Sequence, residues 1–153
     1  MARSTRPRRN RLVREKPQAR YKASEQELIG VLYDSDVIID ILRGRSQVVE
    51  AATVLEGGGV PTYCTAIAFA EIHAGLRPGE EPMTEAFFEA RGEVVLDGRV
   101  GRRAGAYLAR YAKSHGVEIA DALVAAAAAT SGLRLWTLNR KHYPMPDVGF
   151  YEA

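Results

Sequence analysis

Val31-Leu-Tyr-Asp34-Ser-Asp36-Val-Ile-Ile-Asp40-Ile-Leu-Arg43-Gly44 is the stretch from which the rest of the chain is read. The apolar run Ile29 to Tyr33 is short and unalternating, the pattern of a strand buried on both faces. It ends abruptly at Asp34-Ser35-Asp36. Asp36 suits the N-cap of a helix over Val37 to Arg43, which Gly44 closes. Asp34 then stands at the carboxyl end of a parallel strand, where open α/β sheets place their ligand sites. For Asp36 alone, a capping role is a sufficient explanation. For Asp34 it is less so, because two more isolated carboxylates occur downstream in comparable settings.

The composition sets the frame for that motif. A chain of 153 residues with 46% apolar and 26% charged residues matches one soluble domain with a proper core. Cys64, the single cysteine, excludes an internal disulfide and makes a cytoplasmic location the default. Its apolar surroundings favour a buried, inert thiol. No run of about 18 apolar residues could span a bilayer, and the arginine-rich N-terminus leads into no signal-peptide core. The net charge of +2 hides an asymmetry. Residues 1–22 carry nine Lys/Arg and one Glu, a net +8, whereas residues 23–153 sum to −6.

That asymmetry divides the chain into a basic extension, residues 1–28, and a folded domain, residues 29–153. The extension contains Pro7 and Pro17, lacks apolar periodicity and is expected to be disordered in isolation. Two readings of it stand side by side. It is a tail that grips a phosphate backbone, or it is a start-site artefact, since the strand needs nothing before about Ile29.

Downstream, Ser46 is expected to cap a helix from Gln47 to Glu56, closed by Gly57-Gly58-Gly59. Pro61 to Cys64 reads as a strand and Thr65 as the cap of a helix from Ala66 to Leu76. Between Val60 and Leu76 the one carboxylate is Glu71, flanked by Phe69, Ala70 and Ile72. It is either a carboxylate held for a purpose or an exposed spoke on the polar side of the helix. A helix from Pro82 to Arg91, a strand from Glu93 to Asp97 and a long helix from Arg99 to about His115 follow. That last helix has an apolar stripe at Val100, Ala104, Tyr107, Leu108 and Tyr111. Arg99, Arg102, Arg103, Arg110 and Lys113 lie mostly off the stripe, a solvated face with RNA contact as the second reading. Asp121 is the single charge between Ile119 and Leu133, in the first turn of an alanine-rich helix where the dipole alone would favour it. Leu133 to Leu138 is a fourth strand with Trp136 in the core. Thr137-Leu-Asn139 ends that strand, Arg140-Lys141-His142-Tyr143 follows, and Val148 to Tyr151 is a short last strand.

Strands alternating with helices imply a three-layer α/β/α arrangement on a mostly parallel sheet. Asp34 and Asn139 follow strands at their carboxyl ends, and Glu71 and Asp121 lie on helices flanking that edge. The expectation is that Asp34, Glu71 and Asp121 converge, with Asn139 near them. The chain shows no Cys/His ligand spacing, glycine-rich phosphate loop or nucleophile elbow. Clustered carboxylates with amide and hydroxyl neighbours suit Mg²⁺ or Mn²⁺.

The blocks Leu-Tyr-Asp34-Ser35-Asp36-Val-Ile-Ile-Asp40, Thr65-Ala-Ile-Ala-Phe-Ala-Glu71 with Gly75-Leu76, Ile119-Ala-Asp121-Ala-Leu-Val-Ala-Ala, and Leu135-Trp-Thr137-Leu-Asn139-Arg-Lys-His142-Tyr143 occur in order. Together they resemble a PIN domain, specifically the VapC-type ribonuclease toxins of bacterial toxin–antitoxin pairs, over about residues 30–143. The resemblance implies an endoribonuclease using Mg²⁺ or Mn²⁺, held inactive by a cognate antitoxin protein, and a homodimer. It also implies that Asp34, Glu71 and Asp121 are the acidic metal-site residues, with Ser35, Asp36, Thr137 and Asn139 in support. Arg99, Arg102, Arg103, Arg110, Lys113, Arg140 and Lys141 would meet RNA. Two departures matter. Asp36 stands where the family often has Asn, and Asn139 where some members carry a fourth acid.

Two rivals belong to other classes. Asp34-Ser35-Asp36-Val37 resembles the paired aspartates of haloacid-dehalogenase-type phosphatases, but that motif continues Gly-Thr and here Val37-Ile38 follow. The other rival is a PIN-like module that binds RNA or a partner without cutting.

Overall fold

The computed structural model describes residues 28–153; apart from Leu28, the expected basic extension lies outside the described residues. Strand β1 (Val31–Tyr33) is buried at all three positions. It pairs in parallel with β2 (Thr62–Thr65) on one side and β4 (Arg134–Trp136) on the other, and β3 (Gly92–Val94) pairs in parallel with β2. The sheet order is therefore β3-β2-β1-β4. Parallel pairing demands a crossover between neighbours. The helices that supply it are α1 (Ser35–Leu42), α2 (Ser46–Gly57), α3 (Ala66–Ala74), α4 (Glu81–Glu89), α5 (Gly98–His115) and α6 (Ile119–Ser131).

Alternation along the strands divides the apolar residues between two cores, one on each face of the sheet. Leu32 and Leu135 face α5 and α6, meeting Ala104, Tyr107, Tyr111, Ala122 and Ala125 to Ala128. Val31, Tyr33, Cys64 and Trp136 face the other way, toward Val37, Ile38, Leu55, Ile72, Phe87 and Phe88 of α1 to α4. The three-layer expectation holds, and so do the core placements of Trp136 and Cys64. The alanines of α6 let its backbone approach closely; Ala125 to Ala128 are all fully buried. Burial pushes the Cys64 thiol up to about 12, which keeps it protonated and unreactive. Tyr63 sets a close approach of another kind: a Cβ on Gly92 would fall 2.6 Å from its ring, and one on Gly30 2.8 Å.

Several local expectations are corrected. The first helix starts one residue before Asp36, so Asp34 is its N-cap. Asp34 is extended, its carboxylate accepts from Ser35 N–H at 2.8 Å, and its carbonyl accepts from Ile38 N–H. The N-cap of α2 is Arg45 rather than Ser46, without a side-chain bond. Thr65 holds the N-cap position of α3, but its hydroxyl makes no capping bond. The third strand runs Gly92–Val94 rather than Glu93 to Asp97. Asp97 instead caps α5 by accepting from Val100 N–H at 3.0 Å. The last strand shrinks to one bridge between Leu135 and Phe150. Among the described residues no helix is long and apolar enough to cross a membrane.

On the α2 side of the sheet lies a polar cluster that the sequence did not announce. Glu56 accepts from the Tyr33 hydroxyl (2.9 Å), the Thr62 hydroxyl (3.1 Å), Arg91 Nε (2.8 Å) and an Arg91 terminal nitrogen (3.0 Å). The Arg91 guanidinium also sits over the Phe87 ring, 3.6 Å from its centroid. A charge this enclosed persists because both partners are satisfied.

Candidate active site

Three carboxylates lie at the carboxyl edge of β1 and β4, Asp34 within electrostatic reach of both Asp36 and Asp121. Two come from the start of α1, Asp34 at the N-cap and Asp36 in the first turn; the third, Asp121, lies in the first turn of α6. Both helix N-termini thus present partial positive charge to one acidic cluster, which lowers the cost of assembling it.

Donors far away in sequence fix these carboxylates. Asp34 Oδ2 accepts from the Tyr143 hydroxyl at 2.7 Å and from the Thr137 hydroxyl at 2.9 Å. Thr137 has one proton, so its 3.4 Å approach to Asp36 is a contact, not a second bond. Asp36 accepts from its neighbour Val37 N–H at 2.7 Å and from Leu138 N–H at 3.0 Å, tying α1 to the end of β4. Asn139 N–H donates to the Thr137 hydroxyl oxygen at 3.1 Å. Asp121 accepts a long bond (3.4 Å) from Glu118 N–H. The Asn139 amide lies 3.0 Å from His142 Nε2 and donates to it. His142 Nδ1 then carries the proton and faces Asp121 Oδ1 at 3.6 Å. Thr137 and Asn139 therefore gather around Asp34 and Asp36. Tyr143 and His142, to which the sequence reading gave no role, join them.

Burial, and then the neighbouring Asp34, raise the Asp36 carboxyl from 3.8 to about 6. Burial likewise raises Asp121. The Tyr143 hydroxyl is pushed far up, by burial first and then by Asp34, so it stays a neutral donor. A carboxyl raised in the folded state binds its proton more tightly there than in the unfolded chain, so Asp36 favours folding below about 4 and loses that contribution as pH rises through about 6. Metal-free protein should therefore unfold at a higher denaturant concentration at pH 5 than at pH 7. Asp36→Asn should flatten that part of the profile, and an unchanged profile would remove Asp36 as its source.

Glu71 stands apart. It is exposed on α3, where it lines a groove of about 390 Å³ with Ile39 and Leu42 of α1 and Met83 of α4. Among the described residues no group of three or more His, Cys, Asp or Glu side chains is gathered closely enough to hold a metal ion. The donor set nevertheless fits a hard divalent cation. It consists of carboxylate and hydroxyl oxygens, and Ser35 contributes a buried hydroxyl without a partner among the described residues. Among the described residues Asp34 Oδ1 accepts only from Ser35 N–H, and it keeps acceptor capacity to spare.

The cations expected to meet RNA differ in freedom. Arg103 is ion-paired with Asp147, and Arg140 with Glu152 at 3.1 Å. Arg110 lies over its neighbour Tyr111, 5.3 Å from the ring centroid. Arg99, Arg102, Lys113 and Lys141 are exposed and form no ion pair among the described residues.

A parallel sheet of this order, with acids at the carboxyl edge of its central strands, defines an α/β protein with an acidic site. Residues 31–148 match the family described as PIN domain, and the chain belongs to that family. Among curated proteins it is 32% identical over 119 residues to "Ribonuclease VapC19" of Mycobacterium tuberculosis, spanning 76% of this chain and 95% of that protein. Among solved structures it is similar to FitAcB from Neisseria gonorrhoeae, at 26% identity and a TM-score of 0.61 over 80% of this chain and 96% of the other. VapBC2 from Rickettsia felis, bound to a DNA fragment from its promoter, shares the fold at 14% identity, with a TM-score of 0.68 over 79% of this chain and 96% of the other.

Proposed function

We propose that this PIN-domain chain is an endoribonuclease, the toxin of a toxin–antitoxin pair, which hydrolyses RNA phosphodiester bonds with Mg²⁺ or Mn²⁺. The observation that carries the reading is the acidic edge itself: Asp34 and Asp36, held by Thr137, Leu138 and Tyr143, with Asp121 on the first turn of α6 beside them. Such a cluster repels itself and repels RNA, so it makes chemical sense only with a cation between the two.

Asp34 and Asp121 would hold the ion, with Glu71 swinging in from α3 as the third acid and Asp36, Ser35 and Asn139 in support. When bound, a divalent ion supplies Lewis acidity to water and to the phosphodiester. The Tyr143 and Thr137 hydroxyls fix Asp34 Oδ2, leaving Oδ1 to face the site. Asp36, tied to Val37 N–H and Leu138 N–H, is held beside Asp34 and is the nearest candidate to accept a proton. An antitoxin partner and a homodimer belong to the same proposal.

A second reading, a PIN-domain module that binds RNA without cutting, draws on Asn139 in place of a fourth acid and on the lack, among the described residues, of three acidic or His side chains gathered closely enough to hold a metal. One assay separates the two. Purified, antitoxin-free protein should cut structured RNA internally with Mg²⁺ or Mn²⁺ and stop on adding EDTA. Binding without cutting would support the module; turnover of small phosphomonoesters without RNA cleavage would support the phosphatase class.

A further inference from the structure

The folded part of the chain is acidic, yet α5 carries five cations and no carboxylate. Residues 23–153 without α5 sum to −11. The spacing of the five is regular. At 3.6 residues per turn, Arg99, Arg102, Arg103, Arg110 and Lys113 fall within a stripe about 100° wide. The core face of the helix, Val100, Ala104, Tyr107 and Tyr111, lies on the other side. Along one flank of the stripe run Gly101, Gly105 and Ala109, all exposed; a Cβ on either glycine would meet nothing within 4 Å. A partner's backbone could therefore come close to the helix there.

The stripe also has a direction. Arg99, Arg102 and Arg103 line a hollow with Ala129 and Thr130, at the far end of α6. At its other end α5 stops at Gly116, and two further residues lead into α6, whose first turn holds Asp121. The two helices thus run antiparallel, and the cations extend about 21 Å along α5 from the acidic site outward. Among the described residues, only Arg103 of the five is neutralised by an ion pair. Asp97, the cap of α5, and Glu93 are the carboxylates that share a hollow with Arg99.

We propose that this face of α5 is a track for the RNA backbone. Phosphates bound by Lys113, Arg110, Arg102 and Arg99 would carry the strand to the acids, with Arg103 reserved for holding the C-terminal segment through Asp147. The inference rests on the ribonuclease reading for the identity of its ligand. Its content is phosphate recognition: arginine and lysine heads spaced along an exposed helix match the charge of a phosphate backbone, and such contacts position a strand without reading its sequence.

The test compares the full chain with Arg99→Gln/Arg102→Gln/Arg110→Gln/Lys113→Gln. Both are examined in an Asp34→Asn background for binding, by fluorescence anisotropy of a single-stranded RNA 20-mer across a salt series, and without it for cleavage. The basic N-terminal residues are present in both proteins, so their contribution cancels. The slope of log affinity against log salt should become shallower by about 2.8, four phosphates at about 0.7 each. KM for the 20-mer should rise at least about tenfold with kcat little changed, while cleavage of a dinucleotide should be unaffected. Arg103→Gln should lower thermal stability without the change in slope. If the fourfold variant does not fold, Arg99→Gln/Arg102→Gln should give half the change in slope. An unchanged slope in a folded variant overturns the track, as does a loss confined to duplex DNA. Wild-type protein that binds RNA with the full slope but never cuts would overturn the nuclease reading and leave the track standing.

Discussion

Asp34→Asn and Asp121→Asn should each lower RNA cleavage at least about a hundredfold, the upper end of the loss usual for residues that merely orient a metal ligand. Both substitutions keep side-chain shape. Asn at position 34 still caps α1, and Asn at 121 can still accept from Glu118 N–H, so the fold should survive. Metal-free stability should hold steady or rise, because a like charge leaves a half-buried cluster. The double variant should be little worse than either single, as residues of one site act as a unit. Glu71→Gln is the sharper case: the side chain is exposed on α3, so a loss as large as that of Asp34→Asn would mean that it serves the site when metal and RNA bind. Asp97→Asn is the control; asparagine caps α5 as well as aspartate does, and cleavage should not change. Helix-dipole roles alone would instead cost Asp121→Asn on the order of 0.3–1 kcal/mol of stability and no activity.

Glu56→Ala should be among the most destabilising single substitutions in the described domain, by about 3 kcal/mol in denaturant unfolding. The change strands Arg91, whose side chain is 11% exposed, and removes the acceptor of the Tyr33 and Thr62 hydroxyls together. Glu56→Gln keeps an acceptor without the charge and should lose roughly half as much. A cost under about 0.5 kcal/mol for Glu56→Ala would show that Arg91 finds water or another partner, and that the cluster is peripheral to stability.

What could be read in advance follows the range of the interactions. The unbroken apolar run before Asp34 marked a strand covered on both faces, and the spacing of Val100, Ala104, Tyr107 and Tyr111 marked the buried side of α5; both signals are local. The placing of Asp34 and Asp121 at one edge followed from alternating strands and helices, because parallel topology puts every strand's carboxyl end on the same side. The cap was misassigned by two residues because aspartates at 34 and 36 satisfy the same local rule, and only the backbone at Asp34 decides between them. The Glu56–Arg91 cluster and the Tyr143–Asp34 bond join residues 35 and 109 positions apart. No periodicity carries such pairings. A tyrosine four residues beyond a clustered Thr-Leu-Asn was the one available hint, and it became informative only once β4 lay beside β1. Glu71 shows the opposite limit: its apolar neighbours suggested an enclosed carboxylate, but they lie on other sides of α3 and leave it exposed.

The most direct test of the central claim, that the acids form one metal-dependent site, is calorimetric titration of Mn²⁺ into wild-type, Asp34→Asn and Asp121→Asn proteins, each checked for folding and assayed for RNA cleavage in the same preparation. Mn²⁺ should bind the wild type and neither variant, and cleavage should be lost in both. A folded Asp34→Asn or Asp121→Asn protein that binds Mn²⁺ and cuts RNA as the wild type does would contradict it.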